Sequence, residues 1–596
     1  MRLRTERNAR GKAKRVLVIC CFIALWTACY TGIAQAHATL LQTEPPSGNQ
    51  LDEAPNKVLL AFNERVETIF NSIQVLDQDG RRVDIGEPHV TGDGDTLEIG
   101  LRDLAQGQYT VRWRVNSLDG HQVQGHFGFG VKSPPPTEAA MNNLSVPQQS
   151  ASLKVSLLLV KWAGLAAMVT WLGGISFWVV IFAPCIPIGS RRVPGQQEMI
   201  QAALQRIRRI LWAAAGLFFV AQLLALIGQG MTFADLPFTE ALSPAKIQTV
   251  LTATSYGQWW CLRMAAALAL VGLCAWQMRS SVFRPSQESS SARSNKPFAV
   301  GFGIIGGLML LTIPMSGHAR AVSRATALAV AFDWAHLAGT AIWIGGLVYL
   351  WAVVLLVNGI ENGTPEFLGN LVSRFSRMAR ICVLVLLVTG VYATWLHIPS
   401  WRAFVSTDYG VALLIKLFLV SLTLLIAAVN WRRVLPALAG FSQLPETYRM
   451  WARRFRTLIW NEAALGVAIL VAVAVLTSLP PASAVAMAGP ADLSKRNEDT
   501  IVNLRLDSVR VGTVHSVVNL QDSTGRTISD AKRVTLFARM LDMDMGLETI
   551  EAQPTPSGAY QADIPLTMAG KWSVSVEVSP AHGDTFVTEF NISPGI

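Results

Sequence analysis

Residues 155–183 read VSLLLVKWAGLAAMVTWLGGISFWVVIFA, and residues 328–356 read LAVAFDWAHLAGTAIWIGGLVYLWAVVLL. Each stretch carries a single charged residue, Lys161 or Asp333. About 20 apolar residues cross a bilayer, so both are long enough to span one. They are also copies of one pattern. Lys161-Trp162-Ala163-Gly164-Leu165 returns as Asp333-Trp334-Ala335-His336-Leu337, and Trp171-Leu172-Gly173-Gly174 returns as Trp343-Ile344-Gly345-Gly346. Further along, Thr254-Ser255-Tyr256-Gly257 returns as Thr407-Asp408-Tyr409-Gly410, each Tyr followed seven residues on by a cation, Arg263 or Lys416. The competing account of such small-residue motifs is ordinary helix packing in a membrane. The shared register over several motifs favours duplication, a common plan in transport proteins.

Six more apolar stretches lie at 210–229, 258–277, 298–315, 378–398, 409–429 and 457–479, giving eight expected spans. The chain of 596 residues is 51% hydrophobic and 15% charged, with a mean hydropathy of +0.36, which excludes a disordered or wholly soluble protein. The net charge of +10 does not indicate nucleic acid. Residues 37–140 are net −7, residues 488–596 net −5, and the apolar middle, 141–487, net +16. The first and seventh connections between spans hold five and six Lys/Arg, whereas the second, fourth and sixth hold one, two and one. By the positive-inside rule the odd connections are cytoplasmic and both termini lie outside. The lipid bilayer is thus an expected partner.

Residues 1–36 read as a secretory signal: seven Lys/Arg, an apolar run over Val16–Ala28, and a small-x-small site at Ala34-Gln35-Ala36. Cleavage there leaves His37 first. A lipidated Cys29 and an uncleaved anchor are the alternatives. The other cysteines, Cys185, Cys261, Cys274 and Cys382, lie in or beside apolar spans, so neither soluble segment has a disulfide or thiolate site.

Residues 37–132 alternate apolar and polar residues in short runs, Val58–Phe62, Ser72–Leu76, Thr96–Leu101, Tyr109–Val115 and Phe127–Val131, separated by turns. This predicts an antiparallel β-sandwich. A Pro/polar linker, 133–151, leads to the membrane domain, 152–480. Residues 498–596 alternate likewise and predict a C-terminal β-sandwich. The fold class is therefore a multidomain membrane protein, an eight-helix bundle between two β-sandwiches.

The candidate chemistry is metal binding. An N-terminal His37 offers an α-amine, with a pKa of about 8, and an imidazole to one ion. Asp119-Gly120-His121 sets a carboxylate and an imidazole two residues apart, on one side of an extended strand. Together they make a tetragonal N,O set that suits Cu(II). A solvated turn is the competing reading of Asp119 and His121. His89 and His126 read as surface residues. In the membrane, His318, His336 and Met315 cluster around the short fourth connection, and imidazole with thioether suits copper, Cu(I) especially. Intramembrane ionisable groups are functional candidates by default. Packing and interfacial roles are the alternatives. His397 is a weaker candidate, and Glu462 either relays charge or pairs with a nearby arginine. In the C-terminal segment, Met540, Met543 and Met545 are a candidate Cu(I) site, with core packing as the bland alternative. His515 and His582 stand alone. No P-loop is present.

The segment His37–Val131 resembles the CopC copper-binding domain, through His37-Ala38, Glu44-Pro45-Pro46, Leu60-Ala61-Phe62, Gly107-Gln108-Tyr109, Trp113–Ser117 and Asp119-Gly120-His121. The resemblance implies that His37, Asp119 and His121 are Cu(II) ligands. Some relatives carry a Met-rich Cu(I) site, but this chain has no Met between His37 and Ala140. The spans resemble CopD, through Ser316-Gly317-His318-Ala319, Asp333–Leu337, Trp343–Gly346, Arg374-Phe375-Ser376-Arg377, Tyr409-Gly410 with Lys416, and Asn430. The C-terminal segment is similar to YtkA/FixH-like domains, through Gly558–Tyr560 and Met568–Trp572. A CopC–CopD fusion implies periplasmic Cu(II) capture joined to copper movement, by family description uptake, across a bacterial inner membrane, with copper homeostasis or resistance as its role. It implies no enzyme, copper as the ion handled, and periplasmic copper chaperones or cuproenzymes as further partners. A membrane-anchored periplasmic copper buffer or sensor, and a haem or metal electron-transfer protein, are the alternatives.

Overall fold

The structure is a computed structural model. It describes residues 40–137 (except 63–64, 68–71 and 118–121), 140–141, 151–186, 196–234, 237–279, 291–317, 326–357, 364–434, 436–437, 445–482 and 490–592 (except 498–499, 510–511, 542–546, 567–570 and 582–583). The expected leader lies outside them. The apolar bundle and the β-sheet part are separate compact units.

The first β-region pairs two sheets. One has the order β1 (Leu40–Glu44), β3 (Lys57–Phe62), β7 (Thr96–Leu101), β6 (Asp84–Thr91). The other runs β2 (Gln50–Leu51), β9 (Gln122–Val131), β8 (Gly107–Ser117), β4 (Val66–Glu67), with β5 (Ile73–Asp77) also on β8. Alternation puts Val58, Leu60, Phe62, Leu97 and Ile99 inside from one sheet. Val111, Trp113, Phe127 and Phe129 enter from the other. Each such side chain contributes roughly 1.5–3 kcal/mol by burial. Phe62 meets Trp113 edge-on at 5.4 Å and so ties the sheets together. Trp113 lies directly across the ladder from Gly125, where a Cβ would come within 2.6 Å of the indole. The absent side chain makes room for the ring. Strand β6, outside the expected runs, is an exposed edge strand and carries His89 on its open side.

The second β-region is also two-layered. Its sheets run β10 (Ala491–Asn497), β11 (Thr500–Leu506), β12 (Gly512–Asp522), β16 (Tyr560–Leu566), β15 (Gln553–Pro554), and β14 (Glu548–Glu551), β13 (Arg533–Met540), β17 (Trp572–Ser579), β18 (Phe586–Ile592). Leu504, Val518, Leu536, Val574 and Val576 form the centre of its core.

Eight helices are long and apolar enough to cross a membrane: Ala151–Cys185, Gln197–Thr232, Ser255–Arg279, Lys296–Ser316, Thr326–Leu356, Phe367–His397, Asp408–Val434 and Met450–Leu476. Several outrun the apolar stretches. The second begins at Gln197 rather than near 210, because the helix continues through Arg206, Arg208 and Arg209.

The duplication is visible as geometry. Gly173 and Gly345, equivalent in the repeat, sit backbone to backbone where the first and fifth spans cross. Four residues beyond each, Phe177 and Tyr349 stack on one another at 6.1 Å. Both spans widen into a π-helical turn near this crossing, at Phe177–Phe182 and Ala341–Gly345. In the other motif, Gly257 N donates to Thr254 Oγ1 (2.9 Å) and Gly410 N to Thr407 Oγ1 (3.0 Å). Each Thr hydroxyl in turn donates to the carbonyl four residues back, Val250 or Ala403, at 2.6 Å.

A Cβ at Gly173 would collide with the Ala341 carbonyl and the Gly345 backbone, neither of which can swing aside. Gly173→Val is therefore expected to cost more than the ~1–3 kcal/mol of ordinary overpacking and to abolish the monodisperse peak in detergent size-exclusion. Gly216→Val, with nothing within 4 Å of its Cβ, should leave that peak unchanged.

Candidate membrane metal path

The fifth span holds His336 against the sixth. Its Nδ1 lies 2.8 Å from Thr389 Oγ1. That hydroxyl has one hydrogen, committed to the Val385 carbonyl at 2.7 Å. With that hydrogen on the Val385 carbonyl, Thr389 accepts from the histidine and Nδ1 carries the ring proton. In a neutral ring this leaves the Nε2 lone pair open to an electrophile, the arrangement found behind metal-binding histidines. Gly390, following Thr389, lies beside the ring: a Cβ there would be in ordinary contact with His336 Cε1 at 3.8 Å. The charge of Lys416 acts on His336, and that of Asp333 acts on Lys416 and Tyr409. Tyr409 also faces the His397 ring at 6.0 Å.

The first half has a different centre at the matching place. Gly164 replaces His336, and a Cβ there would make ordinary contacts with Ala221 (3.4 Å) and the Gln222 amide (3.6 Å); this half carries no imidazole at that position. The cation equivalent to Lys416 is Arg263, which is buried and fully engaged. Its Nε donates to Thr312 Oγ1 (2.9 Å), Nη1 to Gln222 Oε1 (3.2 Å), and Nη2 to Thr312 O (3.2 Å) and Ser316 Oγ (3.0 Å). Arg263 thereby clamps the turn Pro314–Ser316, which carries Met315 and packs on the helix bearing His336. Lys161, the counterpart of Asp333, donates instead to the Thr477 carbonyl and Ser478 Oγ in the last span.

Other candidates fall as follows. His37, Asp119, His121, His318, Met543 and Met545 lie outside the described residues. Flanking 119 and 121 in sequence, Asn116 of β8 pairs with Gln122 of β9. Met540 is 6% exposed, opposite Trp572 in the core of its sandwich, which makes it a packing residue. His126 lies on β9 next to the buried Phe127. His515 holds Asp563 at 2.8 Å on the surface. Among the described residues Glu462 pairs with no arginine: it is buried and accepts a hydrogen bond from Asn430 Nδ2. No group of three or more His, Cys, Asp or Glu able to hold a metal occurs among the described residues. Thr389 and Gln222 were not marked by the sequence. A hydroxyl residue in an apolar run has no signal of its own.

Four family models match in order: CopC domain at residues 40–132, Copper resistance protein D-like N-terminal domain at 152–326, Copper resistance protein D at 369–476, and YtkA-like at 495–577. The chain is 25% identical over 554 residues to Copper transport protein CutJ of Bacillus subtilis (strain 168), covering 91% of this chain and 93% of that protein. It is 34% identical over 110 residues to Protein YobA of Escherichia coli (strain K12), covering 18% of this chain and 89% of YobA. Among solved structures, CopC from Methylosinus trichosporium OB3b is 32% identical, with a TM-score of 0.15, over 17% of this chain and 98% of that one. PcoC, a methionine-rich copper resistance protein from Escherichia coli, is 24% identical, with a TM-score of 0.14, over 16% and 99%. Fold and comparisons define a multi-pass membrane protein of the copper-handling class. Within it, this chain belongs to the CopC–CopD fusions and carries a YtkA-like C-terminal domain.

Thr389→Val keeps the volume and removes the acceptor that fixes the His336 ring. Copper retained by the purified full-length protein, titrated against a competing chelator, should weaken by about 10–100-fold, the usual cost of losing an outer-shell partner. Unchanged retention would remove His336 from the path.

Proposed function

We propose that this protein captures Cu(II) at the periplasmic face of a bacterial inner membrane and moves copper inward through its spans. Capture falls to His37, Asp119 and His121. The membrane path begins at Met315, His318 and His336. Chaperones or cuproenzymes at either end are further candidate partners. The chain makes and breaks no substrate bonds in this reading; it is a carrier, not an enzyme.

The observation that carries the transport reading is His336 itself. A half-buried imidazole, its Nδ1 held by Thr389, leaves Nε2 open in one repeat half, whereas the counterpart position in the other half is the glycine Gly164. A passive anchor has no use for that asymmetry. The soluble site is supported by where the strands run. Leu40 pairs with Phe62 at the end of β3, Phe62 touches Trp113, and Val66 pairs with Ser117 at the end of β8. The start of β1 and the β8–β9 turn are thus at the same end of the sandwich. His37 precedes Leu40 by three residues, a reach of about 10 Å. Asp119 and His121 follow Ser117 directly in sequence. Tethering this donor to the spans keeps its copper at high local concentration.

Cell-associated copper under limiting supply tests the proposal. Cells with the intact protein should hold more copper than cells without it, and His336→Ala should remove the gain. His37→Ala should cause a smaller loss, because the first domain feeds a path it does not form. Copper unchanged or lowered by the intact protein would refute uptake and favour buffering or efflux.

A further inference from the structure

The last span carries a second polar centre that the copper path does not use. Glu462 is 4% exposed and Asn430 7% exposed. Asn430 opens the π-helical turn Asn430–Val434 at the end of the seventh span, and its Nδ2 donates to Glu462 Oε1. The other end of the same amide, Oδ1, is buried with no hydrogen-bond partner among the described residues. A buried acceptor without a partner is costly. An acid inside a membrane span is costly as well, and π-helical turns gather at functional sites. Three costly features meet at one spot.

Among the described residues no neighbouring cation is bonded to the acid. Asn430 is the hydrogen-bond partner of Glu462 among the described residues. On its own helix the nearest arginine with a described side chain is Arg456, six residues and about 9 Å down the axis. Arg453 is exposed, and Arg454 is turned over the Trp451 ring at 4.9 Å. From the seventh span, Arg432 and Arg433 are exposed. The facing segment Gly346–Val357 of the fifth span offers Tyr349 as its only titratable group. From the first span, Lys161 is engaged at Thr477 and Ser478, about 22 Å further along the last span, and Lys154 is exposed.

We propose that Glu462 and Asn430 form a proton-binding site that couples copper movement to a proton gradient; this rests on the transport reading above. The pair has two self-consistent states. With Glu462 ionised, its carboxylate accepts from Nδ2, as observed. When a proton from water forms an O–H bond on the carboxyl, that O–H donates to Oδ1 and satisfies the unpartnered acceptor, while Nδ2 keeps donating to the other carboxyl oxygen. Release returns the proton to water. No other reactant is needed. The donors are one carbonyl and one carboxylate oxygen, which do not suit Cu(I). They are also too few for a hard metal ion that takes six or more oxygens. On the proposed orientation the site lies toward the cytoplasm, beside the arginine-rich ends of the last two spans, whereas His336 lies toward the periplasm. Two ion sites on opposite sides of one bundle can be linked only through the helices between them.

The test uses the full-length protein in proteoliposomes with a pH-sensitive dye inside, following copper entry and internal pH together. Wild type should move protons whenever copper enters, and an imposed pH gradient should change the copper rate. Glu462→Gln, which mimics the neutral shape but cannot ionise, should lose both responses. Coupling of the usual strength is worth about 5–150-fold, so the loss should fall in that range. Copper entry without proton movement, or unaltered coupling in Glu462→Gln, would overturn the proposal. So would a sodium gradient that drives copper as well as a proton gradient does. A second readout separates this site from the copper path. Infrared difference spectra across a pH titration should show a carboxyl C=O band that is absent in Glu462→Gln and shifted in Asn430→Leu. If wild type moves no copper, the transport reading fails, but that band still supports the proton site; a carboxyl that never titrates overturns the site whatever copper does.

Discussion

The bundle depends on one close approach, the crossing of the first and fifth spans at Gly173 and Gly345. In lipid there is no hydrophobic drive between helices, so association rests on tight packing of small residues. Here the packing also sets the symmetry. With the two glycines backbone to backbone, equivalent residues on either side must meet each other, as Phe177 and Tyr349 do. Trp171 and Trp343, two residues before each glycine, are both buried at the same level. The two four-span halves are thereby fixed around a common axis.

On that symmetric frame the polar groups are not symmetric. In the first half a permanent cation, Arg263, spends its donors on neutral acceptors and pins the turn holding Met315. In the second half the corresponding cation, Lys416, shares its surroundings with Asp333, Tyr409 and His336. Guanidinium with its fixed fork suits a structural clamp; an ammonium on a flexible stem suits a site whose contents change. Duplication followed by specialisation gives one half the scaffold and the other the chemistry.

The extramembrane sandwiches obey a different rule. Their cores follow period-two alternation, and of their candidate metal residues only Met540 lies among the described residues. Trp113 needs the gap at Gly125 and meets the edge of Phe62, which pairs with Leu40 at the start of β1. In the C-terminal sandwich the same alternation takes Met540 into the core, where its thioether fills space opposite Trp572.

The sequence by itself determined the eight spans, the duplication, the two sandwiches and the copper-handling class. Each follows from patterns that any part of the chain displays locally: long apolar runs, alternating strands, repeated Gly-Gly and Thr-x-Tyr-Gly motifs. It also pointed to His336, because an ionisable residue in an apolar run stands out. It left Glu462 between two roles, and only the tertiary structure gave it Asn430 as partner instead of an arginine. Thr389, which sets the His336 tautomer, and Gln222, which receives Arg263, were equally invisible. A hydrogen bond between helices depends on their rotation and separation, and those are set by the glycine crossing rather than by any neighbour along the chain.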